Sequence, residues 1–242
     1  MAIADSERAL YSTKMTKKPQ KRTRETQYNV QIETANEKGV AQMGLSTSYL
    51  WHHDPKHLLF TLSRYKFAAK MLAGKKNVAE VGCGDAFGSR LIATNVYHLD
   101  GYDFDPVFIE NASTINDAVP NMSFYIHDIL KKGLPEVYDA IYSLDVLEHI
   151  PPAQEKKFMK NMVTSLTPGG VCIAGTPNIT SQTYASEQSK LGHINCKSHD
   201  ELKKLFEKYF STVFMFSMND EVVHTGYGPM AHYLFAVGIG VK

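Results

Sequence analysis

Apolar residues along this chain alternate between short continuous runs and stretches of helical spacing. Short runs rich in β-branched and aromatic residues predict strands at 78–81, 97–103, 122–126, 138–143, 171–176, 211–216 and 233–237. Apolar residues three or four apart predict helices between these runs, as at Leu58, Leu62, Tyr65, Ala69 and Leu72. Strands that alternate with helices indicate an α/β fold with a mostly parallel sheet.

Polar and turn-forming residues predict where several elements begin and end. Asp54 and Asp105 each precede a proline and suit the first position before a helix, and Gly74 suits the end of one. Ser198 and Glu201 form a capping-box pattern. The Pro168–Gly170 segment predicts a type II turn ahead of the fifth strand.

A glycine-rich turn follows the first predicted strand. Gly82, Gly84 and Gly88 leave one residue more between the second and third glycine than the dinucleotide fingerprint does. Glycine allows a backbone to pass close to a ligand, and the helix beyond offers unpaired N–H groups. This strand–turn–helix unit predicts a ligand site at the carboxyl end of the first strand.

An aspartate stands at the tip of the second predicted strand, about 20 residues after the glycine turn. In open α/β folds an acid at this place accepts hydrogen bonds from ribose hydroxyls, and Asp103 fits that role. The alternative is an exposed aspartate at a strand end. The neighbouring Asp105 caps the next helix in our interpretation.

The fourth predicted strand leads into the segment Asp145-Val-Leu-Glu-His-Ile-Pro151, and a Leu-Thr-Pro-Gly-Gly segment follows at 166–170. Glu80 stands two residues before the first glycine of the turn. Together these motifs resemble the class I S-adenosylmethionine (AdoMet)-dependent methyltransferases. They are most similar to the small-molecule type of the ubiquinone-pathway O-methyltransferases, over residues 78 to about 176.

The resemblance implies a Rossmann-like class I methyltransferase fold. Its sheet would have seven mostly parallel strands with an antiparallel C-terminal hairpin, and helices on both faces. It also implies AdoMet as the cofactor and transfer of its methyl group to a hydroxyl or amine of a small organic substrate. The residues expected to bind the cofactor are Arg64, Glu80, Gly82, Cys83, Gly84, Asp103, Phe104, Asp128, Ile129, Ser143, Leu144 and Asp145.

Several of these residues could instead have a purely structural role. Asp128 could be a plain turn residue, and Arg64 a solvated surface arginine. His149 is our candidate general base, since an imidazole with a pKa near 6.5 suits proton removal at neutral pH. It could instead only brace the loop at Pro151.

The segment 43–57 is dense in aromatic residues and histidines and holds the single tryptophan. It predicts either a lid over a ligand pocket or a segment that packs on the sheet edge. We expect Tyr49, Trp51, His52, His53 and His193 to contact the substrate. We predict no metal site, because no second acidic pair at ligand spacing accompanies Asp145 and Glu148, and zinc-type Cys–His spacing is absent.

Composition narrows the function classes. A net charge of +1 and a pI of about 7.7 show no excess of positive charge of the kind that nucleic-acid-binding proteins have. No apolar run reaches the ~20 residues of a membrane span. Three scattered cysteines, Cys83, Cys172 and Cys196, indicate a reducing compartment, so we expect a cytoplasmic location. A homodimer is left open.

The domain organisation follows from the same pattern. Residues 1–38 are polar and predict a mobile tail. The alternative is a basic arm for an anionic partner, since the segment contains Lys14, Lys17, Lys18, Lys21, Arg22 and Arg24. Residues 39–242 predict one methyltransferase domain. Its parts are a lid and helix segment at 43–75, an AdoMet-binding core at 76–177, and a substrate-side loop, helix and final hairpin at 178–242.

Two other functions compete with the methyltransferase hypothesis. One is a nicotinamide-dependent oxidoreductase on a related sheet; the extra residue in the glycine turn and the terminal hairpin count against it. The other is a non-catalytic relative that binds AdoMet without turnover. The intact set of Glu80, Asp103 and Asp128 counts against that alternative.

Overall fold

The computed structural model describes residues 22–242, and these divide into two compact units, with the boundary between residues 41 and 42. In the first unit a short 3-10 turn precedes helix α1 (Asn29–Lys38), which ends at Gly39. The segment predicted as a tail therefore contains a helix. Lys14, Lys17, Lys18 and Lys21 lie outside the described residues. The mobility of the tail and the boundary at residue 38 stay predictions.

In residues 42–242, eight strands form one mixed sheet. The strands are β1 (Asn77–Val81), β2 (His98–Asp103), β3 (Met122–Ile126), β4 (Tyr138–Leu144), β5 (Leu166–Pro177), β6 (Phe210–Asn219), β7 (Val222–His224) and β8 (Tyr233–Val241). Their order is β3-β2-β1-β4-β5-β8-β6-β7. The first five strands pair in parallel, and β8 runs antiparallel between β5 and β6. The predicted Rossmann-like α/β architecture is confirmed.

The prediction of seven strands is wrong by one among the described residues. β7 lies between the strands predicted at 211–216 and 233–237 and pairs antiparallel with the end of β6, where Ser217 opposes His224. Three residues are too few to show the period-2 alternation from which strands are predicted.

The turn predicted at Pro168–Gly170 is also wrong. These residues lie inside β5, whose pairing with β4 jumps from Tyr138↔Leu166 to Ala140↔Val171. A type II turn needs a positive φ at its third residue, and Gly169 is not among the glycines with positive φ. The extra residues form a bulge in the strand, which the local dipeptide signal does not distinguish from a turn.

The helices of this unit lie on both faces of the sheet. They are α2 (Leu45–His53), α3 (Pro55–Met71), α4 (Ser89–Ala93), α5 (Pro106–Ile115), α6 (Glu155–Val163), α7 (Glu187–Gly192) and α8 (His199–Glu207). The predicted caps are confirmed: Asp54 and Asp105 accept from N–H groups of α3 and α5, and Ser198 and Glu201 form the capping box of α8. No helix in the described part of the chain is both long and apolar enough to cross a membrane.

Two apolar layers hold the sheet between these helices. On one face Phe158 and Met162 of α6 and Phe206 of α8 are fully buried against the sheet. On the other face Leu72, which follows α3, and Ile92 of α4 are fully buried. With both faces covered, the carboxyl edge of the parallel strands is the part of the sheet left for a ligand.

Candidate active site

The glycine turn after β1 needs its glycines for two different reasons. Gly82 has φ +78° and Gly84 has φ +52°, conformations that residues with a side chain rarely adopt. A Cβ on Gly82 would lie 2.3 Å from a methyl carbon of Val146. A Cβ on Gly84 would meet no protein atom within 4 Å, although this residue lines a cavity. A ligand in the cavity can therefore approach the backbone of Gly84 closely.

A cavity of about 670 Å³ lies at the carboxyl ends of β1, β2 and β4, and we call it the glycine-loop cavity. Seven of the predicted cofactor residues line it: Gly82, Gly84, Asp103, Phe104, Asp128, Ile129 and Asp145. The candidate base His149 lines it as well, as does Ser46 of α2, which the sequence did not single out. Its volume is in the ordinary range for cofactor pockets.

Asp103 ties the tip of β2 to the glycine turn. Its two carboxylate oxygens accept one hydrogen bond each, Oδ2 from the Gly84 N–H and Oδ1 from the Asp105 N–H, both at 3.0 Å. The residue is 9% exposed. Each oxygen can accept a further bond, so the carboxylate is held in place and still able to bind a ligand hydroxyl.

Asp128 and Phe104 lie at the far end of the glycine-loop cavity. Asp128 Oδ1 accepts from the Leu130 N–H at 2.9 Å, and its Oδ2 lies 3.3 Å from the exposed ammonium of Lys131. The ring of Phe104 is 73% exposed. An exposed ring beside a cavity offers a face to a planar ligand group.

Glu80 lies behind the cavity and does not line it. Its carboxylate accepts hydrogen bonds from the hydroxyls of Tyr65 at 2.9 Å, Tyr142 at 2.7 Å, and Ser89 at the start of α4. Burial raises the pKa of Glu80 to about 7, against the opposing effect of these three hydroxyls. The contacts assign Glu80 to the support of the glycine turn, and its role in cofactor binding stays a prediction.

The Glu80→Gln variant should lose part of the pH dependence of stability. Because the pKa of Glu80 rises from 4.5 to about 7 on folding, the folded state binds more protons between these pH values. The free energy of unfolding therefore falls as the pH rises through this window, by about 3 kcal/mol at most. Urea unfolding at pH 4.5 and pH 8 measures the difference, with Glu110→Gln on an exposed face of α5 as the control. An unchanged difference in the Glu80 variant would contradict the assignment.

Three further predicted cofactor residues support the cavity from behind. The Ser143 hydroxyl donates to the Val81 carbonyl at 2.9 Å, which joins β4 to β1. Leu144 is buried in the apolar layer, and burial raises the pKa of the Cys83 thiol well above its usual range. None of the three side chains lines the glycine-loop cavity. Contacts of their backbone groups with a cofactor stay predictions.

Arg64 of α3 pairs with Asp145 at the end of β4. Its Nη1 lies 2.8 Å from both carboxylate oxygens of Asp145, and its guanidinium carbon lies 4.0 Å from the centroid of the Tyr233 ring. Asp145 has φ +58°, which is uncommon for a residue with a side chain. Arg64 was predicted to pair with the cofactor; its partner in this structure is Asp145, which itself lines the glycine-loop cavity.

A second cavity of about 830 Å³ lies on the other side of this ion pair, and we call it the histidine cavity. Arg64, Tyr233, His57, His193 and His232 contribute to its wall. Burial is the main reason that the pKa values of all three imidazoles are lowered. These histidines are therefore neutral at pH 7.

Of the five residues predicted to contact the substrate, His193 lines this cavity and the other four line neither cavity. Tyr49, Trp51, His52 and His53 are exposed on α2. A dense aromatic segment does not reveal which face of its helix is covered. His57 and His232 were not predicted, although His57 lies in the same histidine-rich segment and His232 directly precedes β8.

Glu148, His149 and His193 bring a carboxylate oxygen and two imidazole nitrogens within 4.8 Å of one another. The Nδ1 atoms are engaged, His149 with the Gly192 carbonyl at 2.9 Å and His193 with Gln182 Oε1 at 2.8 Å. Glu148 Oε1 is buried and has no hydrogen-bond partner. Carboxylate and imidazole ligands suit divalent transition metals, so these residues could hold a cation. The absence of a metal stays a prediction.

Residues 78–170 match the family model described as a methyltransferase domain. A probable S-adenosylmethionine-dependent methyltransferase of Mycolicibacterium smegmatis is 28% identical over 115 residues, 47% of this chain and 42% of that protein. A ubiquinone biosynthesis O-methyltransferase of Rickettsia akari is 26% identical over 136 residues, 54% of this chain and 53% of that protein. The chain thus spans about half the length of these curated relatives.

Solved structures share the fold. N-methyltransferase NodS from Bradyrhizobium japonicum, in complex with S-adenosylhomocysteine, superposes with a TM-score of 0.57 at 19% identity, over 76% of this chain and 86% of that one. The methyltransferase domain of bacterial CtHen1-C gives a TM-score of 0.63 at 18% identity, over 75% of this chain and 99% of that one.

Proposed function

Because residues 78–170 match the family model of a methyltransferase domain, we propose that this chain moves a methyl group from AdoMet to a hydroxyl or amine of a small organic acceptor. AdoMet would bind in the glycine-loop cavity and the acceptor in the histidine cavity. The resemblance drawn from the sequence is thereby confirmed for the domain and its cofactor, and the acceptor is the part that is proposed.

The observation that carries the proposal is the contact between the two cavities. Asp145 belongs to the wall of one and Arg64 to the wall of the other, and they lie 2.8 Å apart. His149 and His193 form a second such pair, with ring centroids 5.3 Å apart. Methyl transfer needs donor and acceptor held in one line at close distance, and two pockets that share a wall of side chains would bring donor and acceptor close to each other.

The residues of the glycine-loop cavity fit AdoMet. The held carboxylate of Asp103 would accept from the ribose hydroxyls, and the open side of Gly84 would allow the amino-acid part to lie against the backbone. Asp128 would accept from the adenine amino group, and the exposed Phe104 ring would cover the base. AdoMet would supply an electrophilic methyl on its sulfonium, and the protein would hold it and exclude water.

The charges of the histidine cavity disfavour an anionic acceptor. Its three histidines have lowered pKa values and are neutral at pH 7. Arg64 is already paired with Asp145. An acceptor with a negative charge would lose hydration here without gaining a free positive counter-charge, whereas the carboxylate of Asp54, which also lines the cavity, would attract a positive one. Neutral hydroxyl or amide groups could instead bond to the imidazoles and to Gln182.

We propose His149 as the general base. A carbonyl can only accept, so the Nδ1 of His149 donates to Gly192 and its Nε2 keeps a free lone pair. His149→Ala should slow methylation of a hydroxyl about 100-fold, with a much smaller effect on S-adenosylhomocysteine affinity. Steady-state kinetics and calorimetry measure the two effects. His98→Ala is the control, because His98 is the first residue of β2 and lies at the amino end of that strand, away from the cavities. Undiminished turnover of the His149 variant would remove it as the base.

The test of the whole proposal is incubation with methyl-labelled AdoMet and fractionated small metabolites, followed by identification of the labelled product by mass. A labelled hydroxyl or amine compound without a negative charge is expected. Binding of NAD(H) in place of AdoMet would contradict the proposal, as would AdoMet binding without transfer to any fraction. The cytoplasmic location is part of the same proposal, and it is supported by three free cysteines, two of them buried.

A further inference from the structure

Two residues, Asp220 and Glu221, form the turn between β6 and β7, and we call it the β6–β7 turn. Asn219, the last residue of β6, lines the histidine cavity, and its Nδ2 donates to the Met230 carbonyl at 3.1 Å. Its Oδ1 accepts from Nε2 of His224 in β7 at 2.8 Å. One wall of the histidine cavity is thus joined to β7, the strand that the sequence did not predict.

The β6–β7 turn also fixes which nitrogen of His232 carries the proton. The Asp220 N–H donates to Nε2 of His232 at 2.6 Å. A backbone N–H can only donate, so Nε2 holds a lone pair and the proton of the neutral ring is on Nδ1. Burial lowers the pKa of His232, and this neutral form therefore prevails at pH 7.

Other contacts hold His232 in place from the rest of the cavity wall. Its carbonyl accepts from the Asn178 N–H and the Ser181 hydroxyl, both at 3.0 Å. Its ring lies at a steep angle to the ring of Phe60, with the two centroids 6.4 Å apart. Ser181 and Phe60 also line the histidine cavity. Both the backbone and the ring of His232 are therefore positioned before a ligand binds.

The Nδ1–H of His232 is left for a ligand. None of residues 22–242 accepts a hydrogen bond from it, and the half-buried side chain lines the histidine cavity. A donor in such a place costs free energy when a ligand displaces water without offering it a partner. A ligand with an oxygen at this point avoids that cost.

We propose that His232 is a specificity-determining residue whose Nδ1–H donates to an oxygen atom of the methyl acceptor. The inference deepens the proposed function and rests on it, because it concerns the molecule bound in the histidine cavity. That molecule would carry a carbonyl, ether or hydroxyl oxygen in addition to the hydroxyl or amine that receives the methyl group. A site built to bond to a polar group strongly rejects an analogue that lacks the group, since the partner in the site is then unpaired.

Two substitutions separate this role from support of the β6–β7 turn. In His232→Gln the amide reaches as far as Nε2, so it keeps a partner for the Asp220 N–H and loses the donor at Nδ1. In His232→Asn the shorter amide reaches only as far as Nδ1, so it keeps a donor there and leaves the Asp220 N–H unpaired. His98→Gln, at the amino end of β2, is the control.

The probe is the small-metabolite fraction to which the parent protein transfers label from methyl-labelled AdoMet. The dilution that gives half-maximal transfer measures the apparent KM. We expect His232→Gln to raise the apparent KM about tenfold, His232→Asn to raise it less, and His98→Gln to leave it unchanged. S-adenosylhomocysteine affinity should stay the same in all three variants, because His232 does not line the glycine-loop cavity.

The opposite order, with His232→Asn impaired and His232→Gln like the parent, would show that His232 only supports the turn and would overturn the inference. Equal apparent KM values in all variants would do the same, and both results would leave the proposed methyl transfer intact. Failure of the parent protein to transfer label to any fraction would overturn the proposed function and the role of His232 together.

NMR of the isotope-labelled ring nitrogens tests the protonation of His232 without turnover. In the parent protein at pH 7 we expect the signals of the Nδ1–H tautomer, as set by the Asp220 N–H. The signals are identified by their loss in His232→Gln, or in His232→Asn if the first variant does not fold. The Nε2–H tautomer or a protonated ring would overturn the inference, whatever the kinetics show.

Discussion

Asp103→Ala is expected to weaken S-adenosylhomocysteine binding about 100-fold, the largest effect on cofactor affinity that we predict. The variant loses a buried carboxylate that would accept from the ribose hydroxyls, and such charge-assisted bonds contribute about 1.5–3 kcal/mol. It also frees the Gly84 N–H, which the carboxylate holds at 3.0 Å. About 3 kcal/mol in total corresponds to the stated factor. Isothermal titration calorimetry on the folded variant measures it.

Asp139→Ala is the matched control for Asp103. Asp139 also accepts from two backbone N–H groups, those of Lys76 and Asn77 at 3.2 and 3.1 Å. It stands at the start of β4, at the amino ends of the parallel strands, whereas the glycine-loop cavity lies at their carboxyl ends. Its loss should lower stability and leave affinity unchanged. Equal affinity of the Asp103 variant and the parent protein would remove Asp103 from the cofactor site.

Arg64→Met is expected to reduce turnover about 100-fold and to destabilise the fold by about 2 kcal/mol. The change leaves Asp145 without its partner; removal of one member of a fully buried pair costs about 3–5 kcal/mol, and the partial exposure of Asp145 reduces this value. Asp145 has an uncommon φ of +58° while it is paired with Arg64. Its release would misplace the wall between the two cavities, and small misplacements at a reacting centre cost large factors. Kinetics and urea unfolding measure the two effects.

A double-mutant cycle separates the Arg64–Asp145 pair from the packing of Arg64 on Tyr233. The Arg64→Met, Asp145→Asn double variant should be more stable than Arg64→Met alone, because the unpaired charge is gone. Lys190→Met, which breaks the exposed pair with Glu187 at 2.8 Å, should change stability little. If the double variant is no more stable than the single one, the ion pair is not what holds this wall.

The sequence predicted the cofactor side of the site better than the acceptor side. Gly82 and Asp145 directly follow β1 and β4, and Asp103 is the last residue of β2, so that a local pattern places them at one edge of the sheet. The partner of Arg64 stands 81 residues away along the chain. A pattern within one helix cannot reveal such a contact.

The acceptor side depends on how separate elements come together. His57, His193 and His232 arrive from α3, the residues after α7 and the residue before β8. On α2 the aromatic density pointed to the substrate, whereas Thr47 is the buried residue of this helix and Asp85 its partner. Neither a threonine nor an aspartate in a turn is distinctive in the sequence. Their contact is recognised only in the folded structure.

The position of β8 in the sheet constrains the order of folding. β6 precedes β8 in the chain, yet it joins β5 only through β8, which pairs with both. During synthesis β6 and β7 therefore have no place in the sheet until residues 233–241 have left the ribosome. Until then the edge of β5 is unpaired and open to wrong partners. A nascent chain would need its last described strand before the wall around Tyr233 can exist.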